Sequence, residues 1–156
     1  MAAVISGDTV FFFGGRFNDL HTLDMVSMEW NQVHGSYPDD VGIPSWRVCH
    51  TFTLISDTKA VLFGGTQNHY NTLGDCWILD LQKAKRPQEE PASFWTKCLH
   101  HGSPYQKEKR DGTTLNKLTM RQRHTAVLEP YSKRLWVIGG NIYFREGEGN
   151  DDDIEM

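Results

Sequence analysis

TVFFFGGRFNDLHTLD, residues 9–24, runs five β-formers straight into two glycines, then into an arginine and an Asn-Asp-Leu. A Phe-rich run of this kind makes a buried strand, and paired glycines make turns that other residues enter only under strain. One such unit would be any hairpin. The chain, however, writes the unit again.

Gly-Gly pairs stand at Gly14-Gly15, Gly64-Gly65 and Gly139-Gly140, each closing a short apolar run: TVFFF, KAVLF and RLWVI. Upstream of each lies a second β-like run, MAAVI, HTFTLI or HTAVL, joined through a polar turn, SGD, SDT or EPYSK. Arg47 stands three residues before His50, and Arg121 three before His124, so two of the units open alike. In the first unit the same offset falls before Met1. Beyond the glycines, alternating strands end at Asp24 and Asp80, and Trp30 and Trp95 sit on the strands that follow. Each unit reads as four strands with Gly-Gly between the second and the third. Self-similarity at such a period is the mark of a repeat architecture.

The unit resembles the kelch repeat, whose hallmarks are a double glycine and a downstream aromatic residue, with a period of about 50 residues. The first two glycine pairs are 50 residues apart and the next two 75. The excess falls in polar segments, chiefly TQNHYNTLG, QKAKRPQEEPAS and HHGSPYQKEKRDGTTLNK, where surface loops accept insertions. The resemblance implies an all-β fold of kelch-type propeller blades, each a four-stranded antiparallel sheet. Blades are expected at about 1–46, 47–118 and 119–141, the last partial, followed by an acidic, disordered tail over 142–156. Propellers close with about 4–8 blades, so two and a half to three make an incomplete one.

In that fold the glycines let the backbone leave an inner strand at positive φ without a Cβ striking the neighbouring blade. Phe11 to Phe13 are expected in a strand covered on both faces. Trp30 and Trp95 are expected to fill space between blades, and His50 and His124 to hydrogen-bond neighbouring strands. Kelch proteins bind partners at the mouth of the central channel. The loops after the glycines and those leading into each innermost strand line that mouth. The resemblance therefore assigns partner binding to Arg16, Asn18, Trp46, Arg47, Asn68, His69, Tyr70, Arg123 and Asn141, with Phe17, Tyr143 and Arg145 nearby. The similarity extends to kelch-domain substrate receptors of cullin-RING ubiquitin ligases, which grip a client's C-terminal carboxylate. Arg16 matches their pocket arginine directly after a double glycine. Their second pocket arginine has no counterpart in the shorter loop here, and Val48-Cys49 replaces their Ser-Trp pair. Only Arg16 carries over.

A formal net charge of -4 argues against a general nucleic-acid binder, and no apolar run is long enough to span a bilayer. Cys49, Cys76 and Cys98 are an odd set without paired spacing, which favours reduced thiols in cytoplasm or nucleus. Cys98, His100 and His101 match no zinc spacing, and no cofactor or metal is expected. The expected function is a non-enzymatic module for a protein or peptide ligand, with ligase components as further partners. The alternatives are a kelch-propeller metal oxidase or lyase, and a truncated, nonfunctional fragment.

Overall fold

The computed structural model describes residues 1–34, 42–68, 71–87, 93–98 and 120–141. His69, Tyr70, His100, His101, Tyr143, Arg145 and the acidic stretch 142–156 lie outside the described residues. Strands β1 (Ala2–Ser6), β2 (Thr9–Phe13), β3 (Leu20–Asp24) and β4 (Trp30–Val33) form one antiparallel sheet in sequence order. Strands β5 (Thr51–Ser56), β6 (Lys59–Phe63), β7 (Cys76–Asp80) and β8 (Trp95–Lys97) form a second. β9 (Gln122–Leu128) and β10 (Leu135–Asn141) pair as a third. The first strands of the three sheets lie side by side, β5 between β1 and β9.

Register explains the core. Phe13 pairs with Ala2 and Leu20, and Leu20 with Val33, while Val4 pairs with Phe11. Side chains alternate across a strand, so these residues share one face of the first sheet. That face packs on Phe52, Leu62, Trp77, Leu79 and Trp95, which share one face of the second sheet. Trp95 is 2% exposed and meets Phe13 edge-on at 5.1 Å between ring centroids, so it fills the seam between the sheets.

Two expectations about the first sheet need correction. Only Phe11 and Phe13 are fully buried; Phe12 points to the opposite face and is half-buried. Trp30 lies over Phe12 at 4.9 Å but is 61% exposed, because among the described residues no second sheet covers that face. The all-strand expectation also meets one exception, helix α1 (Leu81–Lys85). Asp80 caps it by accepting the amide N–H groups of Gln82 and Lys83, while Leu81 and Ala84 enter the core. Asp24 does the same for Val26 and Ser27 in a shorter turn. The repeat supplies the cap, and the longer second loop continues it into one helical turn.

The double glycines are joints between sheets. Gly14 and Gly64 have φ of 94° and 62°. A Cβ on Gly14 would strike the His50 ring and lie 2.8 Å from the Arg47 carbonyl oxygen. On Gly64 it would lie 2.5 Å from the Arg121 carbonyl oxygen and 2.9 Å from the His124 ring. The Gly15 and Gly65 amides donate to those same carbonyls, each at 2.8 Å. The first two glycine pairs therefore each seat the segment leading into the following sheet, at a separation no side chain permits.

Candidate functional site

The two lead-in arginines, Arg47 and Arg121, hold the loops that form the site. Arg47 has no exposed surface. Its Nη1 and Nη2 donate to the two carboxylate oxygens of Asp75, at 2.6 and 2.9 Å. Nη1 also donates to the Gly64 carbonyl at 3.1 Å, and Nε to the Ser45 carbonyl at 3.0 Å. Burial pushes the Asp75 carboxyl up, but Arg47's hydrogen bonds and charge, with the Trp77 indole N–H, outweigh it and hold the group below its ordinary value. Arg47 is therefore a structural group, and its assignment to partner binding is corrected: its donors face inward. Arg121 repeats the pattern, its Nη1 donating to the Gly139 carbonyl at 3.1 Å.

His50 and His124, three residues on, pack edge-on against Phe13 and Phe63 of the preceding sheet. His124 shares a 2.9 Å hydrogen bond through Nε2 with the Thr51 hydroxyl. His50 departs from expectation. Among the described residues neither ring nitrogen has a hydrogen bond of good geometry, and the ring packs over Gly14. Burial lowers both imidazoles to about 4, helped at His50 by the N-terminal ammonium and Arg47, and at His124 by Arg121.

Above Arg47 lies an open cleft of about 580 Å³. Arg16, from the loop after the first double glycine, forms one side. Trp46, Val48 and Cys49, from the segment leading into β5, form a second. Paired hydrogen bonds between the Val48 and Thr66 backbones, at 2.9 and 2.8 Å, tie that segment to Thr66, Gln67 and Asn68. Gln122 and Arg123 close the cleft from the third sheet. Four of the sequence-derived partner residues, Arg16, Trp46, Asn68 and Arg123, thus line one concavity. Asn18 and Asn141 are exposed but do not line it.

The cleft is cationic. Among the described residues, neither Arg16 nor Arg123 forms an ion pair, and no carboxylate lines the cleft. Gln122 is 3% exposed, and its Nε2 has no acceptor among the described residues. A buried donor without an acceptor is costly. Sequence reasoning placed the lead-in segment 120–123 at the channel mouth without singling out Gln122, since nothing about a lone glutamine in MRQRHT distinguishes it. It also missed that Cys49 and Arg123 both adopt left-handed backbone, φ 55°. The Arg123 amide donates to the Cys49 carbonyl at 2.9 Å, so the two strained residues are coupled. Their common place directly before the repeat histidine was the available signal. No three His, Cys, Asp or Glu side chains converge to hold a metal among the described residues.

Four-stranded meanders joined in series through double glycines are blades of a kelch-type β-propeller. The chain is similar to Kelch domain-containing protein 2 of Bos taurus, 32% identical over 108 residues, 62% of this chain and 26% of the relative. It is likewise similar to Kelch domain-containing protein 1 of Mus musculus, 31% identical over 109 residues, 63% of this chain and 26% of the relative. The tRNA wybutosine-synthesizing protein 4 of Eremothecium gossypii is 34% identical over 83 residues, 52% of this chain and 11% of that protein. The match thus spans about a quarter of the length of the two kelch-domain relatives, 26% in each case. No family model matches the chain.

Proposed function

We propose that this chain is a non-enzymatic recognition module whose cleft takes an acid-bearing segment of a protein partner. The observation that carries the reading is the meeting, in one cleft, of two guanidiniums without an ion pair among the described residues and the orphaned Gln122 amide, with no described carboxylate lining it. A guanidinium presents a rigid fork of donors that fits a carboxylate in bidentate fashion, and the amide adds a third direction of approach. Trp46, 37% exposed on the cleft wall, offers the apolar surface for the residue next to the acid. The resemblance to ligase substrate receptors supports a finer reading, in which the bound segment belongs to a protein to be ubiquitinated. Cytoplasm or nucleus, where thiols stay reduced, is the proposed compartment.

Calorimetric titration tests the reading with a peptide ending in a free carboxylate, its amidated twin, and Arg16→Ala and Arg123→Ala proteins. The free acid binds more tightly than the amide, and each substitution weakens it by about 2 kcal/mol if the pair is desolvated. The loss shrinks toward zero for a pair on the wet rim. Equal affinity of acid and amide for the wild-type chain would overturn the proposal.

A further inference from the structure

We propose that Cys49 is a site of reversible S-thiolation by an anionic low-molecular-weight disulfide, and that the mixed disulfide closes the cleft to its partner. The inference rests on the reading of the cleft as an acid-binding site. Of the three cysteines, all free thiols, Cys76 and Cys98 are half-buried between strands, whereas Cys49 is exposed and lines the cleft. Its place there is built into the repeat. The residue before each repeat histidine takes a left-handed backbone, at Cys49 and at Arg123 alike, and both line the cleft. An L-residue rarely holds that conformation, and such strain collects where a side chain has to be presented.

Around the thiol stand the guanidinium-bearing Arg16 and Arg123 and the unpartnered, buried amide of Gln122. A disulfide carrying carboxylates would therefore meet donors for its acids and a thiol in the same concavity. Oxidised glutathione is such a molecule. The Cys49 thiolate attacks one sulfur, a new S–S bond forms, and the old one breaks. The electron pair leaves on the departing glutathione thiolate, which takes up the proton released when Cys49 ionised. No other oxidant enters. The bound tripeptide then occupies the donors that a partner's acid would use.

The test exposes the full chain to oxidised glutathione or to cystamine, a cationic disulfide, and follows each cysteine by peptide mass. The glutathione-to-cystamine rate ratio at Cys49 is divided by the same ratio in the urea-unfolded chain, which removes intrinsic reactivity. The corrected ratio is expected at about tenfold, the low end of electrostatic focusing in a charged cleft. It falls toward one in the Arg16→Ala/Arg123→Ala double variant, and Cys49→Ser removes the label. A corrected ratio near one in wild type, or modification of Cys76 or Cys98 ahead of Cys49, would overturn the inference. Thiolated wild type should lose affinity for the free-acid peptide and regain it on reduction; unchanged affinity would remove the claim of closure. Peptide binding without selective thiolation defeats this inference alone. Selective thiolation without peptide binding defeats the functional reading alone.

Discussion

At the scale of single residues, the repeat histidines make the chain sensitive to acid. His50 and His124 are neutral in the folded chain because burial lowers them from an ordinary 6.5 to about 4. Once unfolded, each takes up a proton below 6.5, so the unfolded state binds more protons across this window. Stability is therefore intact above 6.5 and declines as pH falls toward 4, by about 1.4 kcal/mol per pH unit for each histidine at the steepest. Urea midpoints measured from pH 7.5 down to 4.5 should fall in this way, and His124→Gln should flatten the slope. A midpoint independent of pH there would show that the rings are not held neutral. The histidine spacing was legible in the sequence because the repeat displays it twice. The role of Arg47 was not. Its ion-pair partner Asp75 lies 28 residues away on the far side of an inserted loop, and no local pattern connects them. The identity of a cleft donor such as Gln122 was hidden for the same reason: its lack of a partner is a property of the folded neighbourhood.

At the scale of elements, strands and turns were legible because local sequence determines them. The β-rich runs, the polar turns and the double glycines each act over a few residues. Helix α1 was not, since five residues are too few to display a helical period, and the Asp80 cap with Leu81 and Ala84 in the core carries it. The glycine joints separate two costs that sequence alone merges. Gly64 and Gly139 both have left-handed φ, 62° and 73°, but a Cβ on Gly139 meets nothing within 4 Å among the described residues. Gly139→Ala should therefore cost about 1 kcal/mol of backbone strain. Gly64→Ala adds a collision with the Arg121 carbonyl and the His124 ring, and should cost about 3 kcal/mol or more. Equal urea midpoints for the two variants would show that the joint tolerates a methyl group and that blade docking does not depend on it.

At the scale of the whole molecule, each blade has two unlike apolar faces. On the second sheet, Leu54, Ala60, Leu79 and Trp95 stand in register across one face and receive the first sheet. The same row recurs on the first sheet as Ile5, Val10, Leu23 and Trp30, but there Ile5 is 56% and Trp30 61% exposed. The opposite, inserting face is Phe11 and Phe13 on the first sheet, with Val61 and Phe63 as their buried counterparts on the second. On the third it is Trp136 and Ile138, 55% and 61% exposed. One end of the array thus presents a receiving face and the other an inserting face. Surfaces so related associate head to tail, a heterologous contact that continues until a ring closes or a filament grows. Apolar faces of this kind seek cover, so the 156-residue chain should self-associate at micromolar concentration in light scattering. Trp30→Glu spoils the receiving face and Ile138→Glu the inserting face, and each variant alone should stay monomeric. Mixed in equal amounts they should form dimers and nothing larger, because each still carries one good face for the other. Monomers throughout the wild-type dilution series would refute the association. Larger species in the mixture would show a contact between like faces, and with it that the blades' two-sidedness does not govern how the chains meet.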